Sequence, residues 1–288
     1  MQNSILENIK KVVVCLVIFI MSALLFLFSS QIIFAHRNAY FSPDYEKEDI
    51  THLLDKTTLE KQDYETLFLQ TGLWKSAIDT LKQTDNDYKQ TIEQYQNMFF
   101  AEKNIRCNAM LGIFTREDVL VNNLNLVDLS FVDVRAGDIV VTTATHSAGW
   151  RHGHSALVLE NDATLESTVL GSNSSVSTLG SWKSYSNWAI LRVKNSSKIQ
   201  GERVAEYAYE NLLDIPYRLS SGLFGEKSAQ LDAPNFGLHC GYLVWYAWQL
   251  QGIDLDSDGG RIVTPTDILY SKNLEVVQLF GMDPRNFI

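Results

Sequence analysis

Cysteine is scarce, with three in 288 residues. Cys15 lies inside an apolar run, so only Cys107 and Cys240 are left to pair, and no disulfide framework holds this chain. Basic residues are outnumbered as well, 24 Lys and Arg against 34 Asp and Glu, for a formal net charge of −10. Without a basic stripe to neutralise phosphates, the chain is not expected to take a nucleic-acid partner, and charge gives it no hold on anionic lipid. Internal repeats and low-complexity segments are lacking too. The remaining composition, 45% hydrophobic and 20% charged, is that of an ordinary globular chain. Its length leaves room for one sizeable domain with extra elements, or for two domains.

The first 35 residues stand apart. Lys10 and Lys11 precede Val12–Phe34, a run of 23 residues without a charge. As a helix this run is about 35 Å long, enough to cross a bilayer core of about 30 Å. The two lysines place the remainder of the chain outside. The apolar run is longer than a usual signal-peptide core, and Ile33-Phe34-Ala35 is only a fair cleavage site, so residues 1–35 read as a membrane anchor. Cleavage there would leave a secreted protein instead.

Residues 36–107 read as a helical region without site chemistry, a stalk or packing layer. Thr57 and Glu60 have capping-box spacing ahead of a helix to about Gln70, Gly72 ends it, and Trp74–Gln83 and Asp85–Phe99 carry helical periodicity. Cys107 is most simply a half-buried residue where the next region begins. Residues 108–288 read as an α+β body. Strands are expected at Ile139–Thr143, His154–Leu159, Ala163–Val169 and Trp188–Val193, and Gly171–Thr178 as a polar loop. Helices are expected at Ser197–Leu213 and behind the Thr264-Pro265 start signal.

The stretch with the most chemical content is Gly237–Trp248. Behind a loop bearing Pro234 and Gly237, the residues Cys240, Leu243, Val244, Ala247 and Leu250 form one helical stripe, and Trp245 and Trp248 make the other faces apolar. A thiol in the first turn of a buried helix lies near unpaired N–H groups and the positive end of the helix dipole, which favours thiolate. Cysteine is also a common small core residue, and the stretch alone leaves both readings open. A nucleophile needs a base and a group to orient that base. His154 opens its strand, facing the same way as Ala156 and Val158. With a three-residue hairpin loop, Glu160–Asp162, Leu159 pairs with Ala163 and Ala156 lies opposite Glu166. Glu166 then shares the His154 face one diagonal step away, about 7–8 Å at the backbone. A two-residue loop would put it on the other face.

Six short motifs follow in order: Gly137-Asp138-Ile139-Val140, Gly153-His154-Ser155-Ala156-Leu157-Val158, Leu165-Glu166-Ser167, Pro216-Tyr217, His239-Cys240-Gly241-Tyr242-Leu243-Val244-Trp245 and Thr264-Pro265-Thr266-Asp267. Together they resemble the YiiX/YaeF-like families, circularly permuted relatives of the NlpC-type cell-wall peptidases. The resemblance covers roughly residues 135–288, and Gly241 departs from it where many relatives carry serine or a small polar residue. It implies a permuted papain-like fold, an antiparallel sheet packed on a buried cysteine-bearing helix. It also implies a thiol peptidase or amidase with Cys240 as nucleophile, His154 as base, Glu166 as orienter and Tyr217 near the site as an oxyanion or substrate contact. No metal or other cofactor is expected. The expected partners are a peptide, peptidoglycan or acyl-amide substrate and, through the N-terminal helix, a membrane.

Other readings compete. His146, His152, His154 and the His239-Cys240 pair are a possible zinc set. Asp254–Gly259 matches the front of an EF-hand loop, but Pro265 stands where the bidentate glutamate belongs, so an acidic turn is the better account. His152 and His239 read as loop or site-rim residues. Trp150, Trp182, Tyr185 and Trp188 are candidates to line a peptide groove or an acyl pocket. The expected function is an exported, membrane-anchored cysteine hydrolase of amide bonds in cell-envelope peptides. The alternatives are a lipid-directed thiol hydrolase or acyltransferase of the same fold, or a surface protein that only binds.

Overall fold

In the computed structural model the described residues are 2–35, 39–110, 114–120, 130–147, 150–223, 227, 231–233 and 236–288. Pro234 and the expected boundary at 35/36 fall at or beyond their edges. The chain forms α1 (Gln2–Ala35), α2 (Thr51–Leu54), α3 (Lys61–Thr71), α4 (Lys75–Thr84), α5 (Tyr88–Phe100), β1 (Asn104–Met110), β2 (Phe114–Leu120), β3 (Ile139–Thr142), β4 (Thr145–Ser147), β5 (His154–Val158), β6 (Ala163–Glu166), β7 (Ser175–Thr178), β8 (Trp188–Val193), α6 (Lys198–Asn211), α7 (Cys240–Gln249), α8 (Pro265–Leu269) and β9 (Leu274–Phe280). It is a mixed α+β chain with antiparallel sheets and one N-terminal helix long and apolar enough to cross a membrane, none of whose apolar span is buried against the body.

The main sheet has six strands in the order β7-β6-β5-β3-β8-β9. Its central strands are apolar on both faces because both faces are covered. Ile139, Val141, Leu157 and Leu191 pack with α6, α7 and α8 in one core. Val140, Ala156, Val158 and Ile190 pack on the other side with residues of α2–α5 and with Trp182 and Trp188. The helices after the anchor are thus a layer over the back of this sheet. A second sheet, in the order β1-β2-β4, is a seven-residue-stranded hairpin joined by a short third strand. Residue 107, expected to close the helical region, lies inside β1.

Several local details differ from the sequence reading. The capping box on α3 is made by Glu60 and Asp63, three residues beyond Thr57. The polar loop expected at Gly171–Thr178 contains β7, an exposed edge strand whose residues lack an apolar face. Leu250 caps the end of α7 and is exposed, outside the buried stripe. The hairpin register follows the three-residue loop: Leu157 pairs with Leu165, Val158 with Thr164, and Leu159 N–H donates to Ala163 O. Asn161 and Asp162 take the left-handed conformation that this turn needs and that Asn and Asp tolerate.

Candidate active site

Helix α7 begins at Cys240 because His239 caps it. His239 has extended backbone, and its Nδ1 accepts from the Tyr242 N–H at 3.3 Å. The thiol therefore sits in the first turn, next to unpaired backbone donors. The preceding chain is pinned on both sides: Leu238 N–H donates to Pro216 O, Arg218 N–H donates to Leu238 O, and the Ser167 hydroxyl also donates to Leu238 O at 2.8 Å. These bonds bring Tyr217, the end of β6 and the helix start together. Gly241 has a structural reason. A Cβ there would lie 2.1 Å from Val263 O, so serine or alanine at this place does not fit the close approach of α7 to the Val263-Thr264 backbone.

His154 follows Gly153, whose positive φ of 72° turns the chain into β5. Its Nε2 bonds Glu166 Oε2 at 2.9 Å. The other oxygen of Glu166 accepts from Thr164 Oγ1 at 2.7 Å and from Trp182 Nε1 at 3.1 Å. The Trp182 ring stacks on the imidazole, centroids 5.1 Å apart and planes 5° from parallel. The carboxylate thus has a fixed geometry, and so does the ring that it holds. The His154 side chain also hydrogen-bonds the Cys240 thiol. With Nε2 committed to Glu166, the nitrogen left for the thiol is Nδ1.

The charges are arranged as a pair. Burial favours the neutral imidazole, but hydrogen bonds to Cys240 and Glu166 outweigh it and hold the His154 pKa well above the usual value. Burial likewise pushes the Cys240 thiol up, yet the hydrogen bond with His154, and then the neighbouring His239, hold it well below the ordinary range. Glu166 is pushed up by burial but held low by His154, Thr164 and Trp182. These directions favour thiolate, imidazolium and carboxylate, with the imidazole between the other two. Tyr217 is pushed up to about 12, first by burial and then by the neighbouring Cys240, and keeps its proton.

The site opens into a cleft of about 360 Å³. Cys240, His154, Tyr217, Tyr185 and Val169 line one part of it, and Asn108, Phe114, Thr115 and Arg116 of the hairpin β1–β2 line the other, with His146 and His152 between. Of the residues singled out from sequence, Cys240, His154, Glu166 and Tyr217 come together. Trp182 lies under His154 instead of lining the cleft, and Trp188 is in the core against Phe131 and Phe280. His239, read as a loop or rim residue, is the buried cap of the helix that begins at Cys240. Thr164 and the β1–β2 wall were not anticipated. Thr164 had a signal, two residues before Glu166 and so on the same strand face; the wall had none. Among the described residues, the histidines form no set of three potential ligands within ligating distance. The set that does is Asp256, Asp258 and Asp267, and there Lys227 already bonds Asp256.

No family model and no curated protein matches this chain. One solved structure to which it is similar is described as the metalloprotein YiiX of Escherichia coli O157:H7. The match has 13% identity and a TM-score of 0.38, and covers 50% of this chain and 96% of that one. A likeness at that score carries no argument about activity, and the metal in that description belongs to YiiX.

Proposed function

We propose that the chain is a cysteine hydrolase of amide bonds, with a papain-like, permuted NlpC-type body held outside the cell membrane by its N-terminal helix and acting on cell-envelope peptides. The observation that carries this is the His154 ring, bonded at 2.9 Å to Glu166 on one side and to the Cys240 thiol on the other, at the wall of an open cleft. A buried structural cysteine has no use for that arrangement.

The chemistry follows from the charges. The Cys240 thiolate adds to the carbonyl carbon, and the oxyanion that forms takes a hydrogen bond from the Cys240 N–H at the helix start. His154 passes its Nδ1 proton to the leaving amine as the C–N bond breaks, leaving a thioester. A water then gives its proton to His154 and adds to the thioester, and the proton returns to the departing sulfur as the acid is released. Glu166 stays ionised throughout and keeps Nε2–H directed away from the thiol. The protonated Tyr217 phenol, beside Cys240, is a donor to bound substrate.

The test compares wild type with Cys240→Ala on purified peptidoglycan peptides, with acyl-lipid amides and esters in parallel and with and without chelator. Hydrolysis lost in Cys240→Ala and indifferent to chelator is the expected result. Hydrolysis that survives the substitution, or that chelator removes, overturns the assignment.

A further inference from the structure

The cleft has two walls, and the chemistry described above uses one of them. Cys240, His154 and Tyr217 belong to that wall; the other is built from β1, β2 and β4. The hairpin β1–β2 precedes residues 135–288, the stretch that carries the resemblance, so this wall is a feature of the present chain. Its charge is unlike that of the chain as a whole. Asp and Glu outnumber Lys and Arg by 34 to 24 in the sequence. Among the described residues, however, no carboxylate lines the cleft, whereas Arg116, His146 and His152 do.

Arg116 is held in place before any ligand arrives. Its Nε donates to Asp118 Oδ1 at 2.6 Å, its Nη2 donates to the Ser184 hydroxyl, and its Cζ lies over the Tyr185 ring, 3.9 Å from the centroid. Asp118 also accepts from Asn108 Nδ2 and does not line the cleft, so it holds the guanidinium from behind. The side chain is 40% exposed, and among the described residues its Nη1 has no hydrogen-bond partner. An arginine fixed on three sides loses little further freedom when it binds, and its open edge suits a carboxylate. Its distance from the reacting atoms is bounded by a column of rings. Tyr185 packs on Trp182 with centroids 5.2 Å apart, and Trp182 on His154 at 5.1 Å. Guanidinium and imidazole are therefore no more than about 14 Å apart, a span covered by about four extended residues. The same wall holds a second group suited to a ligand. His146 is 1% exposed and lines the cleft, and among the described residues neither ring nitrogen has a hydrogen-bond partner; Glu117 Oε1 is 3.7 Å away. Burial first, and then the Arg151 charge, hold its pKa below the usual value, leaving a neutral imidazole with one donor and one acceptor. Buried polar groups are ordinarily paired, and a peptide group lying in the cleft offers both an N–H and a C=O.

We propose that the far wall of the cleft is a carboxylate subsite, in which Arg116 binds an acidic group of a peptide substrate through its Nη1 edge, within about four residues of the amide that is cleaved. Arg116 is thus a specificity-determining residue, and the substrate is an acidic peptide. The proposal rests on the hydrolase reading and narrows its substrate; the binding step can be measured without turnover. The full chain in detergent micelles, carrying Cys240→Ala, is titrated calorimetrically with blocked alanine peptides. Each bears glutamate at one position in turn and is compared with the same peptide bearing glutamine there. At the best position the acid is expected to bind about 10- to 100-fold more tightly than the carboxamide, by a margin that shrinks as salt is raised. Arg116→Gln in the same background should bring that ratio close to one, and Arg116→Lys should keep part of it, because lysine restores the charge without the planar fork. With Cys240 in place, kcat/KM for the two peptides should differ by the same ratio. The comparison with Arg116 intact needs no variant at the subsite, so a misfolded Arg116→Gln does not decide the outcome. Equal affinity for acid and carboxamide at every position overturns the subsite, as does a preference that survives in folded Arg116→Gln. Tighter binding of the acid with no hydrolysis of either peptide upholds the subsite and is a failure of the hydrolase reading alone.

Discussion

Glu166→Gln is the substitution that most directly tests the alignment of the three groups. Glu166 accepts three hydrogen bonds, from His154 Nε2, Thr164 Oγ1 and Trp182 Nε1. A glutamine has one accepting oxygen where the carboxylate has two, and the indole N–H is a donor with no accepting lone pair. If the glutamine oxygen faces Trp182 and Thr164, its NH₂ faces His154 Nε2. The imidazole must then accept there and carry its proton on Nδ1, against the thiol. If the amide is turned the other way, its NH₂ faces the Thr164 hydroxyl, which can accept from it, and the buried Trp182 N–H, which is left without an acceptor at about 1–3 kcal/mol. Either way the charge that favours imidazolium is gone. An opposite charge at this range shifts a pKa by about 1–3 units, so the ratio of ion pair to neutral pair falls about 10- to 1000-fold. With the wrong tautomer added, kcat is expected to fall by on the order of 10³–10⁴, as in the equivalent change to a hydrolytic triad. Two readouts need no substrate. Nitrogen-15 spectra of His154 should show the imidazolium lost at lower pH, with the neutral proton moved to Nδ1. Iodoacetamide should alkylate Cys240, located by mass spectrometry, with a smaller plateau rate near neutral pH. A His154 that titrates unchanged with its proton still on Nε2 refutes the alignment.

Further outcomes follow from the same geometry. Turnover of wild type should rise with pH as Cys240 ionises, below the ordinary thiol range, and fall as His154 loses its proton, above the ordinary imidazole range; a profile that only begins to rise near pH 8.5 contradicts the ion pair. Tyr217, whose phenol is pushed up to about 12, keeps its proton across that window. Tyr217→Phe should therefore lower kcat about 10- to 100-fold with both limbs unmoved and Cys240 alkylation unchanged, whereas a packing role alone would leave kcat alone. Gly241→Ser should cost about 1–3 kcal/mol, seen as a melting temperature lower by several degrees, because its Cβ would lie 2.1 Å from Val263 O. An unshifted melting curve would mean that α7 does not approach that backbone so closely.

Much of the site was legible because its parts depend on short-range rules. The loop Glu160–Asp162 fixes the hairpin register, the register fixes which residues share a face, and the shared face puts Glu166 beside His154. The helix start was readable in the same way, since an apolar run at helical spacing behind a loop bearing Pro234 and Gly237 says where α7 begins, although the capping role of His239 was not read. The reading failed where the pattern was short or shared by two structures. Ser175–Thr178 is three polar residues and an exposed valine on a sheet edge, with no buried face to impose alternation. In Trp182 and Trp188 the same side chain serves as a ring under the imidazole and as core filling, and only tertiary position separates the two.

The hairpin β1–β2 is the case that bears most on function. Its buried side chains alternate, Thr115, Glu117 and Val119 facing inward, but two of the three are polar and one is a full carboxylate. By hydrophobic periodicity such a strand is invisible. Glu117 can be buried only because partners reach it from three separate parts of the chain: the Ala39 N–H, the Ser186 hydroxyl at 3.1 Å and Arg151 at 2.6 Å. A charge buried in this way is costly to leave unpaired and contributes little net stability when paired. Its effect is positional. It fixes Ala39, four residues after the end of the N-terminal apolar helix, the wall of the cleft and the loop before His154 in one arrangement. Replacing it with glutamine, which keeps the volume, should loosen all three together: proteolysis between Ala35 and Phe41 should become faster, while Cys240 alkylation, which depends on His154 and Glu166, should stay as it is. Alkylation that falls in step with proteolysis would show that the segment at Ala39 and the thiol are parts of one cooperative unit, and that Glu117 holds the Cys240–His154 pair as well as the wall.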